Sequence, residues 1–282
     1  MNRRQRLAAI FADTQDMIAS TPELRTASAR TIKQTRVYDQ DEYPQLGAAK
    51  RAGVIRVTER RSFEAAMAIA AEAPDAHIAV HNFASPTNPG GGVKNGSAAQ
   101  EESLCRCSTL YASLDQRRIW DAYYSPNRVS ATASIVATDD CIWSPGVVIC
   151  KTDDEFPERM SPDTWVTVDV ITCAAPNLVH TSANLLNPQM ASDVTIPLTA
   201  VYDIHRRRAR HLLTIAAAEG ATHLVLGAFG CGAFRNDPYI VANAWHGEVE
   251  AMRKHFDLIE FAIFHMPYEA ENYEAFSAEF AE

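Results

Sequence analysis

Apolar and polar residues alternate along this chain with two different periods. From Gly53 onward, short runs of apolar and β-branched residues are separated by stretches with apolar residues every three to four positions. The first pattern is typical of buried strands, and the second is typical of helices with one face on a core. The predicted strands are 54–57, 77–83, 134–137, 147–150, 165–173, 222–228 and 258–264.

Helices are predicted between these strands, at 63–71, 199–219 and 238–255, and long loops are predicted at 151–162 and 178–197. Gly220 lies where a helix usually ends in glycine, and Asp237 followed by Pro238 is typical of a helix start. Residues 1–45 have the pattern of a helix followed by a connector. Because strands and helices alternate, the sequence predicts an α/β domain over residues 46–282, with a mixed sheet between helical layers and an N-terminal helical extension over residues 1–45.

The segment after the predicted strand 77–83 has the most evident chemistry. Three glycines are followed, after seven residues, by a glutamine and two glutamates: Gly90, Gly91, Gly92, Gln100, Glu101 and Glu102. Glycines let backbone N–H groups approach a ligand that a side chain would block. Paired acids supply a proton donor or an oxygen ligand. Apolar residues at helical spacing from Leu104 to Leu114 predict one helix, with the two acids in its first turn.

The two glutamates are not expected to act equally. Adjacent residues on a helix point about 100° apart, so we expect either Glu101 or Glu102 to do the chemistry. A helix start lowers the pKa of a carboxyl group, whereas burial and a like-charged neighbour raise it. A general acid near neutral pH needs the raising effects to dominate, which the sequence leaves open. The alternative for such a pair is simple interaction with the helix dipole.

A second glycine-rich segment, LVLGAFGCGAFRNDP, joins a predicted strand to the helix after Asp237. Backbone amides and a helix N-terminus both favour an anion such as a diphosphate. Ligands of open α/β sheets bind at the carboxyl ends of the strands, so we expect both glycine segments to surround one nucleotide-diphosphate sugar. Glycines that serve only tight turns are the alternative. The spacing G-x-x-x-x-G-S at 91–97 lacks the lysine of a P-loop, and the second segment has no G-x-G-x-x-G.

Charge and hydropathy narrow the expected partners. The 282 residues carry a net charge of −9, which argues against a broad basic surface for nucleic acid, so no sequence-specific nucleic-acid binding is expected. The sequence has no run of eighteen apolar residues, so no membrane span is predicted. Asp13 and Asp16 interrupt the N-terminal apolar run, which therefore does not resemble a secretion signal. The arginine run 206–210 predicts a solvated helix face, with a phosphate-contacting patch as the alternative.

The six cysteines show neither framework spacing nor a C-x-x-C motif, so reduced thiols and a cytoplasmic location are expected. Cys105 and Cys107 would point about 200° apart on a helix and could not easily share a metal ion. No other set of metal ligands is evident. The sequence therefore predicts an enzyme without metal or cofactor.

Three parts of the sequence resemble the bacterial-type poly(ADP-ribose) glycohydrolases. These are NFASPTNPGGG with QEESLCRCSTLY, then VITCAAPN, and then LVLGAFGCGAFRNDP, and the resemblance extends over roughly residues 53–265. It implies a macrodomain-like three-layer α/β/α core. It also implies hydrolysis of the ribose–ribose bonds of poly(ADP-ribose), with ADP-ribose as the product. The substrate would be the polymer or other ADP-ribosylated macromolecules.

The resemblance also implies roles for individual residues. Glu102 would protonate the leaving ribose hydroxyl and then activate water, while Glu101 would hold ribose hydroxyls and Gln100 would orient the pair. Ser85 or Asn88 would bind a ribose hydroxyl, although FAS replaces the FAN of the animal-type enzymes. The implied ribose and diphosphate contacts come from the two glycine segments, namely Gly90, Gly91, Gly92, Gly230, Cys231, Gly232, Ala233 and Phe234.

Two other functions stay open from the sequence. One is a hydrolase that removes single ADP-ribose units from protein or nucleic acid, and the other is a module that binds ADP-ribose without turnover. An intact QEE favours an enzyme over a binding module.

Overall fold

A seven-stranded mixed sheet forms the centre of the molecule. The computed structural model describes residues 1–129, 131–179 and 196–281. The strands are β1 (Arg36–Tyr38), β2 (Val54–Thr58), β3 (Ile78–Ala84), β4 (Cys141–Ile149), β5 (Val166–Ala174), β6 (His223–Leu226) and β7 (Leu258–Ala262). Their order across the sheet is β1-β4-β5-β3-β6-β7-β2, in which β4 is antiparallel to both its neighbours and the other pairs are parallel.

Helices cover both faces of this sheet. They are α1 (Arg3–Ser20), α2 (Pro22–Gln34), α3 (Ser62–Glu72), α4 (Gln100–Cys107), α5 (Leu110–Leu114), α6 (Arg117–Ile119), α7 (Ala131–Val136), α8 (Leu198–Ala218), α9 (Pro238–Met252) and α10 (Glu271–Glu279). Short 3₁₀ turns occur at Val93–Asn95, Pro126–Arg128, Pro162–Thr164 and Arg253–His255, and a π-helical turn occurs at Trp120–Tyr124. Among the described residues, no helix is long and apolar enough to cross a bilayer.

Successive residues of the central strand β3 enter two different cores. Ile78 and Val80 pack with α3, α4 and α5, whereas Ala79 packs with α8, α9 and α10 on the opposite face. This alternation follows from the two-residue period of a strand, and burial on both faces favours apolar residues on both. The predicted three-layer α/β/α fold is therefore confirmed.

Several predicted elements differ from the observed ones. The apolar run 134–137 is not a strand, since its residues belong to α7 and to the turn after it, where Ala137 has φ +60°. A short apolar run has no periodicity that separates helix from strand. The helix predicted from Leu104 to Leu114 is two helices, because Ser108 is extended and bridges to Ile149 of β4. The short strand β1 and helices α2 and α10 were not predicted, and most of the predicted loop 178–197 lies outside the described residues.

The N-terminal helices support the helix that carries the two acids. Thr14 of α1 donates a hydrogen bond to the Arg106 carbonyl of α4 at 2.6 Å, and buried Lys151 donates to the Ile10 carbonyl of α1 at 2.9 Å. Helix α2 packs on β4, and Thr31 donates to the Gly146 carbonyl at 2.9 Å. Strand β1 also belongs to the central sheet. The domain boundary at residue 45 stays a prediction.

The arginine run on α8 is not simply a solvated helix face. Arg208 is completely buried, whereas the side chain of Arg207 is 55% exposed. Arg208 donates to the Asp139 carboxylate at 2.8 Å and to the Ala174 carbonyl at 2.5 Å, and further to the carbonyls that end α7. Arg208 can be buried because the carbonyls and the carboxylate accept from the N–H groups of its guanidinium.

Arg208→Met should therefore lower the free energy of unfolding by about 3–5 kcal/mol, because it removes the donors of several buried acceptors. Arg207→Ala removes a pair to the same carboxylate, but an exposed one, and should cost less than about 1 kcal/mol. Urea unfolding of both variants measures the difference. Equal losses would contradict the structural role assigned to Arg208.

Candidate active site

The two glycine segments follow strands that are neighbours in the sheet. Strand β3 ends at Ala84 and β6 ends at Leu226, and the two strands are parallel. Their carboxyl ends therefore lie at the same edge, and both segments leave from it. The strand order, which the sequence alone did not supply, explains how residues so far apart in the chain come together.

The first segment passes directly over the start of α4. Gly90 and Gly91 have φ values of +67° and +56°, which glycine adopts without steric cost. A Cβ atom on Gly91 would lie 2.5 Å from Oε1 of Glu102 and 3.2 Å from Oε2 of Glu101. Although the two glutamates leave the helix in different directions, the segment wraps around the helix start. Both carboxylates consequently approach the same glycine.

Glu101 is held by protein donors on both of its oxygens. Oε2 accepts from the backbone N–H of Ser85 at 2.7 Å, and Oε1 accepts from the backbone N–H of Gly90 at 3.2 Å. The side-chain amide of Asn82 lies 3.5 Å from Oε1. Burial raises the pKa of Glu101 well above the usual glutamate value, the Glu102 charge adds to this rise, and the three donors oppose it.

Glu102 has a less restricted environment. Its Oε1 accepts from the backbone N–H of Gly92 at 2.8 Å. Within the described residues, Oε2 accepts no hydrogen bond from the protein. Helix α4 thus presents one carboxylate that fixes the glycine segment and another with an oxygen available to a ligand.

Gln100 fixes the start of α4 against the end of β3. Its side-chain oxygen accepts from the Phe83 N–H at 2.9 Å, and its side-chain nitrogen donates to the His81 carbonyl at 2.8 Å and to Ser62 at 3.0 Å. These contacts are with β3 and α3, and among the described hydrogen bonds none joins Gln100 to either glutamate carboxylate. Any orienting effect of Gln100 on the acids acts through the position of the helix.

The second segment ends at a capped helix N-terminus. Asp237 accepts hydrogen bonds from the backbone N–H groups of Tyr239 and Ile240, and Pro238 is the first residue of α9, as predicted. A Cβ atom on Gly232 would meet nothing within 4 Å, so this part of the segment borders open space. A ligand could approach the backbone here as the glycine pattern predicts.

Asn236 holds this segment in shape. Its side-chain nitrogen donates to the Pro176 carbonyl at 2.8 Å and to the Gly230 carbonyl at 3.0 Å, while its side-chain oxygen faces Nε2 of buried His205 at 3.0 Å. Gly230 has φ +80°, and a Cβ there would collide with Ala175 and with the Asn236 side chain. One buried amide therefore joins both ends of the segment to the turn after β5.

A cavity of about 370 Å³ lies between the two segments. Nine of the thirteen predicted site residues line it, namely Ser85, Gly91, Gln100, Glu101, Glu102, Gly230, Gly232, Ala233 and Phe234. Four do not line it: Asn88, Gly90, Gly92 and Cys231. Glu102 and the 230–234 segment border one space, as the expected convergence requires. Phe229, which precedes the 230–234 segment, is completely buried and packs in the core beneath it.

The cavity also has residues that the sequence did not indicate. Arg61, Asp153, Phe264 and Asn272 line it, and the Arg61 guanidinium lies 3.9 Å from the centre of the Phe264 ring. Arg61 and Phe264 follow the carboxyl ends of β2 and β7, so the rule that ligands bind at strand ends could have found them. Asp153 lies in a predicted long loop. Nothing in the sequence pattern marks Asn272.

The raised pKa of Glu101 predicts a pH dependence of stability. Because the folded state holds this proton more tightly than the unfolded state, Glu101 contributes stability at low pH that is lost as pH rises through its folded pKa. Glu101→Gln should remove that decline, so the difference in unfolding free energy between the two proteins should change with pH. Urea unfolding across a series from about pH 4 to 8 measures it. A constant difference would contradict the raised pKa.

Comparison with known proteins gives the family. The family model of the catalytic domain of microbial-type PARG, or poly(ADP-ribose) glycohydrolase, matches residues 12–152. This is half of the chain and includes both glutamates. A poly(ADP-ribose) glycohydrolase from Deinococcus radiodurans, solved in complex with ADP-ribose, is 35% identical over 90% of this chain and 97% of its own, with a TM-score of 0.75. The chain belongs to the microbial-type PARG family. No curated protein matches the sequence.

A second PARG structure extends the similarity to nearly the whole chain. The enzyme from Thermomonospora curvata, bound to the inhibitor ADP-HPD, is 30% identical over 98% of this chain and 100% of its own, with a TM-score of 0.77. The N-terminal helices and α10 are thus within the matched length. This PARG is accordingly a glycosidase with the α/β fold of the bacterial enzymes, and the resemblance inferred from the motifs is confirmed.

Proposed function

We propose that this PARG hydrolyses the ribose–ribose O-glycosidic bonds of poly(ADP-ribose) and releases ADP-ribose, with Glu102 as the general acid and base. The observation that carries the proposal is the environment of Glu102. One oxygen is fixed by the Gly92 N–H at 2.8 Å, and the other has no protein donor within the described residues, in a cavity that both glycine segments line. A fixed carboxyl group with one available oxygen is suited to proton transfer.

The reaction would use that oxygen twice. Protonated Glu102 gives its proton to the ribose oxygen that leaves, and the bond from the anomeric carbon to that oxygen breaks, which leaves an oxocarbenium-like centre. The Glu102 carboxylate then takes a proton from a water molecule as the water oxygen bonds to the anomeric carbon. The net change is the addition of one water across the glycosidic bond.

Glu101 and Gln100 would support this step by holding the ribose and by fixing the helix that carries Glu102. The oxygens of Glu101 already accept from the first glycine segment, but a carboxylate has about four acceptor positions, so it can also take a ribose hydroxyl. Gln100 would act by fixing α4 on β3. Ser85 lines the cavity and is the closer candidate for a ribose contact, whereas Asn88 does not line it.

The diphosphate would lie along the second segment. Gly232 leaves open space beside the backbone, so the backbone N–H groups of this segment can approach an anion. Phe234 lines the cavity and can pack against a sugar or base. Bacterial relatives solved with ADP-ribose and with ADP-HPD support a ligand of this class.

Asn236→Ala should raise the KM for polymer about tenfold while changing kcat by less than about threefold, because it releases the diphosphate segment without touching Glu102. Asn236→Asp keeps the shape but loses the donor to the Pro176 and Gly230 carbonyls, and should behave similarly. Steady-state kinetics of the two variants test this. A fall in kcat with unchanged KM would contradict the assignment.

A comparison of substrates tests the function. The protein is incubated with poly(ADP-ribose), with mono-ADP-ribosylated protein and with ADP-ribosylated DNA, and released ADP-ribose is measured by chromatography. The proposal expects rapid release from the polymer and slow or no release from the other two. Release only from a mono-modified substrate would instead indicate the single-unit hydrolase, and binding without any release would indicate a module that only recognises ADP-ribose.

We also propose a cytoplasmic location. All six cysteines are free thiols, which is usual in a reducing compartment.

A further inference from the structure

A second cavity, distinct from the active site, lies on the outer side of α8. It has a volume of about 600 Å³ and is lined by Tyr43, Asp203, Arg206, Arg207, Arg210 and Glu248. We call it the basic cavity. None of its residues lines the active-site cavity. It includes three of the four arginines of the run on α8, for which the sequence left a phosphate-contacting role open.

Ion pairs fix the arginines of the basic cavity in place. Glu248 on α9 is 5% exposed and accepts from Arg206 at 3.1 Å and from Arg210 at 2.8 and 3.0 Å. Arg207 donates to Asp139 at 2.8 Å, and Asp139 is itself held by buried Arg208. Such pairing holds the guanidinium groups in defined positions, so they lose little freedom when a ligand binds.

These arginines keep donors for a further anion. Arg206 and Arg210 use Nε and Nη2 for Glu248, and Arg207 uses Nε for Asp139. Within the described residues, the Nη1 groups of all three have no protein acceptor. Four guanidinium groups of this region face the three carboxylates of Asp139, Asp203 and Glu248, so a positive charge is left over in a chain with a net charge of −9. Guanidinium groups bind phosphate through paired N–H donors.

An aromatic ring lies beside these donors. Tyr43 is 46% exposed, and its ring packs on one side against buried His211, with centroids 4.9 Å apart. Burial raises the pKa of Tyr43 and the Asp139 charge adds to this rise, while the positive charges of Arg210 and Arg207 oppose it, in keeping with their position near the phenol. An exposed ring that is fixed by packing on one face can stack with a nucleotide base on the other. A ring and phosphate donors in one cavity match the two parts of a nucleotide.

The position of the basic cavity relates it to the active site. Helix α9 begins at Pro238, next to the proposed diphosphate segment, and Glu248 lies ten residues further along it. At 1.5 Å per residue, this separates the two places by about 15 Å along the helix axis. A polymer with one end in the active site could therefore contact both.

We propose that the basic cavity is a second binding site for poly(ADP-ribose), which takes an ADP-ribose unit other than the one being cleaved. This inference rests on the proposed function, because it requires that the polymer is the substrate. The second contact raises the affinity for long polymer by making its binding bivalent, and it adds nothing for a substrate too short to reach the cavity.

The test uses two variants that leave the ion pairs of Glu248 intact, Arg207→Ala and Tyr43→Ala. Arg117→Ala is the control, since its side chain is 89% exposed, does not line the basic cavity, and pairs with Asp121 on the helix surface. KM and kcat are measured on long polymer, and free ADP-ribose is tested as a competitive inhibitor of that reaction, since a single unit cannot occupy both sites at once. Both variants should raise the KM for long polymer about five- to tenfold, with kcat and the inhibition constant of ADP-ribose unchanged.

Two results would overturn the proposal. One is a KM for long polymer that matches that of the control, and the other is an equal rise in the inhibition constant of ADP-ribose, which would place the effect in the active site. A second measurement avoids turnover, namely binding of labelled long polymer to Glu102→Gln with and without Arg207→Ala, where affinity should fall by a similar factor. If the wild-type protein releases no ADP-ribose from long polymer, the proposed function itself fails, which is a different result.

Discussion

Glu102→Gln should lower the release of ADP-ribose from poly(ADP-ribose) by a factor of about 10²–10⁴, while the affinity for free ADP-ribose stays within about threefold of wild type. Glutamine keeps an oxygen that can accept from the Gly92 N–H, so the glycine segment stays fixed. It cannot give or take the proton that the reaction needs. Release is measured as initial rate, and affinity by calorimetry with ADP-ribose.

The neighbouring glutamate supplies the matched control. Glu101→Gln makes the same replacement at the adjacent position, but Glu101 accepts from the backbone of Ser85 and Gly90. Its loss should therefore disturb the binding of the ribose, with KM and kcat both affected. Release by Glu102→Gln at the wild-type rate would reject the role of Glu102. If Glu101→Gln alone lost activity with ADP-ribose affinity kept, the acid would be Glu101.

The raised pKa of Glu101 does not by itself make that residue the acid. Its rise comes mainly from burial, and each of its oxygens already accepts from a backbone N–H group, whereas Glu102 has an oxygen without a donor among the described residues. A proton on Glu101 would also remove the charge that attracts these N–H groups. The raised pKa of Glu101 is therefore an effect of its burial, and it does not select Glu101 over Glu102 as the acid.

Much of the fold followed from local pattern. Buried strands such as β3 and β5 are rich in apolar and β-branched residues, and α9 has its N-cap and proline in order, so both kinds of element could be predicted. The short strand β1 could not, because three residues have no period and its pairing with β4 is set by tertiary contacts. The strand predicted at 134–137 was wrong for the same reason, because four residues are too few to show a period.

The site was predicted in its residues more than in its geometry. The glycines and the acids can be recognised in the sequence. The strand order that brings Gly230 and Glu102 to the same cavity is a tertiary property. Residues that support the site without a local sequence signal were missed. Asn236 is an example, because its role depends on hydrogen bonds to the carbonyls of Pro176 and Gly230. Burial of Arg208 was likewise invisible, because it depends on acceptors far away in the chain.

Gly91→Ala should lower kcat by about 10² or more with a loss of stability of about 1–3 kcal/mol. The new Cβ would lie 2.5 Å from Oε1 of Glu102, well inside contact distance, and alanine is strained at φ +56°. Either the carboxyl group or the glycine segment must move, and a displacement of about 1 Å at a proton donor costs about a hundredfold in rate.

Two other glycines separate this steric effect from the general cost of an added methyl group. Gly247 lies within α9 and a Cβ there meets nothing within 4 Å, so Gly247→Ala should leave both kcat and KM unchanged. Gly232 also has open space around it, but it lines the active-site cavity, so Gly232→Ala should raise KM without lowering kcat. If Gly91→Ala kept kcat within about threefold of wild type, the close approach of the first glycine segment to Glu102 would have no part in catalysis, and the acid would have to be positioned by α4 alone.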